Sequence, residues 1–158
     1  DRCVLTQRYG SDALDASLLL AVLTRFLPPD DPRIRATVMA IAEELTEDGL
    51  VLRYRVEETD DGLAGEEGTF TICSFWLVSA LVEIGEISRA RHLCERLLSF
   101  ASPLHLYAEE IEPRTGRHLG NFPQAFTHLA LINAVVHVIR AAEESDSSGV
   151  FQPANAPM

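Results

Sequence analysis

Three stretches of this sequence, residues 13–26, 70–84 and 123–142, are long enough to be helices and are apolar around most of their circumference. A helix without a polar face is buried on nearly every side, so each of the three belongs in an interior. Two further stretches lie between them and carry apolar residues on one side only. In the first, Ile34, Val38, Ile41, Ala42 and Leu45 recur at helical spacing, with Arg33, Arg35, Glu43 and Glu44 turned away. In the second, Ala90, Leu93, Cys94, Leu97 and Leu98 form the stripe, and Arg89, Arg91, Glu95 and Arg96 lie off it. The chain therefore alternates buried and outer helices, five in all. Such a pattern predicts an all-α fold, part of an (α/α) toroid with an inner and an outer ring.

The connections sharpen this expectation. Links from a buried to an outer helix are short and marked by Pro28, Pro29 and Gly85, whereas the two links from an outer to a buried helix run to about 20 residues each. Connections of that length are uncommon in compact domains unless they carry function. In a toroid both emerge at the N-termini of the inner helices. Local signals place the boundaries. Ser11 is the expected cap of the first helix, Asp31-Pro32 opens the second, and Gly49 is expected to close it. A short strand-like piece, VLRYRV, follows. Five helices do not close a ring, and faces this apolar need a partner, so more chain is expected upstream. A first residue other than Met agrees with that. Residues 1–142 are read as one part-domain and residues 143–158 as a disordered tail.

Composition narrows the partners. The net charge is −11, and all 13 basic residues are Arg. No basic face is available for phosphates, which argues against nucleic acid. No apolar run free of polar breaks reaches the roughly 20 residues of a membrane span, so no membrane partner is expected, and the chain is expected to be cytoplasmic. Cys3, Cys73 and Cys94 fit no metal or redox spacing, so neither metal nor cofactor is expected. Cys73 and Cys94 read as small buried thiols.

The long connections hold the residues that carry chemistry: Arg53, Tyr54, Arg55, Glu66, Glu67, Tyr107, Glu109, Glu110, Arg114, Arg117 and Asn121. Carboxylates with arginines and aromatics suit carbohydrate binding and cleavage, in which one carboxylic acid protonates the leaving oxygen and a second carboxylate activates water or attacks. Solvated loop charge is the competing reading of the same set. His128 and His137 sit on an apolar helix and read as hydrogen-bonded core histidines. Trp76 reads as core for the same reason.

The stretches YGSDALDASLLL, GEEGTFTICSFWLVSALVEIG and LYAEEIEPRTGRHLGNFPQAFTHLALINA resemble the C-terminal part of glycoside hydrolase family 15, the glucoamylase-like family that includes prokaryotic glucoamylases, glucodextranases and trehalases. The resemblance runs from about Tyr9 to Ala142. It implies an (α/α)6 barrel and an inverting hydrolase that releases glucose from α-glucosides. Carried over residue by residue, it makes Glu109 the general base and puts Arg53 and Phe126 in the first subsite. Tyr54, Tyr107 and Glu110, together with Glu66 and Glu67 of the GEEG pattern, are assigned substrate contact. No stretch here matches the family's general acid, so the chain is expected to hold the general-base half of an active site and to be inactive alone. The substrate class implied is an α-glucoside oligosaccharide or disaccharide, with α-1,4, α-1,6 and trehalose linkages all open. A helical-repeat interaction module is the alternative from another class, since GEISRARHLCERLLS resembles one tetratricopeptide helix. Such repeats recur at about 34 residues with short turns, unlike the spacing here. A non-catalytic sugar-binding remnant is the third reading.

Overall fold

The computed structural model describes residues 3–55 and 69–149. The fold is mostly helical, with short strands that tie the long connections together. Its elements run as a 3-10 turn (Ala16–Leu19), α1 (Leu20–Leu23), α2 (Pro32–Glu44), β1 (Thr46–Glu47), β2 (Leu50–Val51), β3 (Thr69–Phe70), α3 (Thr71–Glu83), α4 (Ile87–Leu98), β4 (Glu110–Ile111), β5 (His118–Leu119) and α5 (Ala125–Gly149).

The expected alternation is seen in α2, α3 and α4. Nine of the thirteen residues of α3 are buried, on all sides of the helix. By contrast, α2 buries Ile34, Val38 and Ile41 on one face, and α4 buries Ala90, Cys94 and Leu97. Leu98, placed on the buried stripe from sequence, is 45% exposed. Helix α3 packs against α5, α4, α1 and α2 and is the centre of the fold. Asp31 caps α2 by accepting from the Arg33 N–H at 2.9 Å, with Pro32 at the first helical position. Gly85, at φ 83°, ends α3, with the Glu86 N–H reaching back to the Leu81 carbonyl.

The first helix is shorter than its apolar length suggests. Asp15, not Ser11, is the cap, its carboxylate accepting from the Ser17 N–H at 2.8 Å. Arg25 ends α1 in a left-handed conformation, φ 60°, while the Phe26 and Arg25 N–H groups donate to the Ala21 and Val22 carbonyls. Gly49 does not close α2. It shares with Asp48 the two-residue turn between β1 and β2, both at positive φ (49° and 85°), which is the backbone a tight hairpin needs. Of the described residues of the strand-like piece, only Val51 is strand, in β2 with Leu50 before it. Helix α5 continues through Gly149, past the Ala142 at which its apolar run weakens.

Helix α5 is long and apolar enough over Ala125–Ser145 to cross a membrane by length and composition, although polar residues such as His128, Asn133, His137 and Arg140 interrupt the run. Its Thr127, Ala130 and Ala134 are buried, and it packs along α3. The opposite face leaves Leu129, Ile132 and Ile139 more than half exposed.

Strands β3, β4 and β5 form an antiparallel sheet, with Phe70 opposite Glu110 and Glu110 opposite Leu119. This sheet joins the connection before α3 to the one before α5. Behind it Tyr107 is fully buried, edge-on to Phe75 at 5.5 Å, and its hydroxyl donates to the Leu97 carbonyl at 3.1 Å. The tyrosine thus satisfies a last-turn carbonyl of α4 across the core.

Replacing Tyr107 by Phe is expected to cost about 1 kcal/mol, the value of one net hydrogen bond, measured as a shift in urea unfolding. Burial also pushes the Tyr107 phenol up to about 12 and the Cys73 thiol, from its ordinary 9.0, up to about 12. The unfolded chain releases both protons first. Stability is therefore intact below about pH 9 and declines as pH rises toward 12, a trend that alkaline denaturation followed by circular dichroism will test.

Candidate active site

The segment 107–109 is held from both sides by its main chain. The Gln124 N–H donates to the Tyr107 carbonyl at 3.0 Å, and the Thr127 hydroxyl to the Ala108 carbonyl at 3.2 Å. The Tyr107 N–H donates to His128 Nε2 at 3.3 Å, while His128 Nδ1 faces the Gln124 carbonyl at 2.7 Å. Those partners assign the proton to Nδ1. His128 is thus the hydrogen-bonded core histidine expected from sequence, whereas His137 Nδ1 has no partner among the described residues. The Glu109 carbonyl accepts from the Thr71 N–H at 2.9 Å, at the first residue of α3. Glu109 is therefore placed at the N-terminal ends of two inner helices at once.

Its side chain is held too. Asn121 donates to Glu109 Oε2 through its main-chain N–H at 3.1 Å and through Nδ2 at 3.0 Å. In return the Glu109 N–H donates to the Asn121 carbonyl at 2.9 Å. The β4–β5 hairpin brings Asn121 there. Its turn closes on Glu112, whose carboxylate accepts from the Thr115 and Arg114 N–H groups and the Thr115 hydroxyl. These bonds, the Thr115 hydroxyl first, hold that carboxyl below its ordinary range. Gly120 lets the returning strand pass. It has φ 69°, and a Cβ there would lie 2.8 Å from Glu109 Oε2.

Glu109 borders a cleft of about 280 Å³. Arg53, Phe126, Trp76, Gln124, Ser17 and Cys73 also line it, with Phe70, Ile72 and Thr127 completing the wall. These residues come from the starts of the 3-10 turn, α3 and α5, from the start of the connection after β2 (Arg53) and from the connection before β4 (Glu109), the end of the fold at which the sequence places the long links.

The predicted residues divide clearly. Glu109, Arg53 and Phe126 converge on the cleft. Tyr54 lies beside it, its ring centroid 5.6 Å from the Arg53 guanidinium carbon, so it bears on the arginine. Tyr107 does not reach the cleft. Its ring fills the core and its hydroxyl is committed to Leu97. Glu110 lies in β4, one residue beyond Glu109, and successive strand side chains point to opposite faces. It is half-buried and is not part of the cleft wall. Glu66 and Glu67 lie outside the described residues. Sequence reasoning missed Ser17, Trp76 and Gln124. Trp76 is half-buried and lines the cleft, so its place on an all-apolar helix is only part of its environment. The one signal for Gln124 was its position after Pro123, at a helix start.

A carboxylate, a guanidinium, three exposed or half-buried aromatics, an amide and hydroxyls surround one small cleft, the combination of apolar walls and a few polar groups usual in small-molecule sites. They are set at one end of a partial toroid of inner and outer helices. Residues 1–136 match the family model described as Glycosyl hydrolases family 15, and the chain belongs to that family. Among relatives, a trehalase of Mycolicibacterium smegmatis is 94% identical over 99% of this chain and 24% of its own length. A trehalase of Mycobacterium tuberculosis is 87% identical over 99% and 23%. A trehalase of Thermoplasma acidophilum is 44% identical over 80% of this chain and 21% of its own. The chain thus spans about a quarter of the length of these relatives. Among solved structures, a wild-type glycosidase shares the fold with a TM-score of 0.71 at 23% identity, over 86% of this chain and 38% of that one. A variant glycosidase in complex with glucose superposes equally well.

Replacing Gly120 by Ala puts a Cβ against a carboxylate oxygen and forces a non-glycine residue to positive φ. The expected cost is about 1–2 kcal/mol, read from urea unfolding.

Proposed function

We propose that this chain is the general-base part of an inverting α-glucoside hydrolase, and that its substrate is trehalose. The observation that carries the reading is Glu109, a carboxylate oriented by Asn121 at the edge of a cleft shared with Arg53, Trp76 and Phe126. The names of the most similar relatives favour trehalose among the α-glucosides.

In this mechanism a water molecule attacks the anomeric carbon from the face opposite the leaving oxygen. Glu109 takes its proton as the new carbon–oxygen bond forms. A carboxylic acid elsewhere in the full polypeptide protonates the departing oxygen as the glycosidic bond breaks. Inverting enzymes separate the two carboxyls by about 6.5–9.5 Å to admit that water. Arg53 binds hydroxyls of the first sugar, and its planar fork of donors suits a pair of neighbouring oxygens. Phe126 and Trp76 offer apolar faces to the ring. The remainder of the polypeptide supplies the acid, and its helices cover the exposed face of α5, where Phe126, Leu129 and Ile132 stand 67%, 58% and 59% exposed.

Glu109→Gln in the full-length protein is expected to lower kcat on trehalose by about 10²–10⁴-fold, the usual contribution of a general base. Proton NMR of the first turnovers will read the stereochemistry. Inversion releases one β- and one α-glucose per trehalose. Two α-glucoses would mean retention, and unchanged kcat would remove Glu109 from the chemistry.

A further inference from the structure

We infer that Asn121 is the positioning residue of the base, clamping Glu109 Oε2 so that Oε1 is the oxygen that takes the proton from water. The inference rests on the reading of Glu109 as the base and adds to it which oxygen works and what aims it.

Three hydrogen bonds join the two residues reciprocally. The Asn121 N–H and Nδ2 both donate to Oε2, at 3.1 and 3.0 Å, and the Glu109 N–H donates to the Asn121 carbonyl at 2.9 Å. Both donors reach the same carboxylate oxygen. Among the described residues no hydrogen bond reaches Oε1. A carboxylate accepts through either oxygen, so spending the acceptor capacity of one selects the other for the reacting water. Gly120 makes room for this grip: a Cβ on it would stand 2.8 Å from Oε2 and 3.1 Å from Glu109 Cβ, so only a glycine lets the backbone leading to Asn121 pass this close to the carboxylate. The amide orientation is set by the same geometry, because turning Asn121 over would put its carbonyl oxygen against an anionic oxygen. Asn121 is itself exposed and supports no core packing, so a bond this well formed on a surface residue is not explained by stability alone.

A double-mutant cycle on the full-length protein tests this, with kcat and KM measured on trehalose. Asn121→Ala keeps the main-chain donor and removes the amide. It is expected to lower kcat by about 10- to 100-fold, the weight of a hydrogen bond to a charged group, with KM moving less than about twofold. In the Glu109→Gln background the same change is expected to move kcat less than about twofold, because a residue that acts through the base has nothing left to position. Asn121→Asp has the shape of the parent and should fold whatever the alanine variant does. It sets an anionic oxygen against Oε2, and kcat is expected to fall at least as far as in Asn121→Ala. An equal loss in both backgrounds, a rise in KM at constant kcat, or an aspartate variant with parental kcat would each overturn the inference. If Glu109→Gln alone leaves kcat intact, the base assignment fails first. That result is read from the single variant, separately from any loss at Asn121.

Discussion

The site depends on one set of main-chain hydrogen bonds, those that hold residues 107–109 between the first turns of α3 and α5. The Thr71 N–H takes the Glu109 carbonyl, and Gln124 and Thr127 take those of Tyr107 and Ala108. Two of the donors are amides at the helix starts, where such groups lack partners within the helix itself, and the third is the Thr127 hydroxyl. Three residues of an irregular connection are thus fixed to the starts of α3 and α5. Without these bonds a 20-residue link would be an ordinary mobile loop, and a carboxylate on it would have no fixed direction.

Tyr107 extends the same logic inward. It is two residues from Glu109, and its ring and hydroxyl are spent on Phe75 and on the last turn of α4. Tyr107 points into the core, Glu109 lines the cleft, and the half-buried Glu110 lies outside it. The functional residue is placed by its neighbours, which do no chemistry. Cys73 shows the same separation at the cleft wall. Burial keeps its thiol protonated, so it shapes the cavity without competing as a nucleophile.

Much of this was legible in the sequence. Helices α2, α3 and α4 fall where periodicity places them, because their apolar patterns are long and their caps conventional: Asp31-Pro32 at one start and Gly85 at one end. Local signals misled where two readings compete. Ser11 and Asp15 are both good caps, and only burial of Leu14 and Ala16 outside a regular helix favours the later one. Gly49 after a helix reads as a helix stop, yet paired with Asp48 it makes a hairpin turn. Tyr107 belongs to the right motif but serves the core. Trp76 sits on an apolar helix but turns toward the cleft. A helix that is apolar all round cannot reveal which of its sides meets an opening.

The sequence alone determined the alternation of inner and outer helices, the end of the fold where the long connections gather, and the candidate base. The first two follow from short-range patterns, hydrophobic period and capping chemistry, whereas the candidate base is what the resemblance of the LYAEEIEPRTGRHLGNFPQAFTHLALINA stretch to the family implies. Only the tertiary structure decided that Asn121 grips one oxygen of Glu109, that Gly120 gives that grip its room, and that Tyr107 turns away from the cleft. Residue 53 comes from one long connection, and residues 109 and 121 flank the β4–β5 hairpin of the other. Their meeting depends on the pairing of β3, β4 and β5, whose two-residue strands carry too little periodicity to be read in advance.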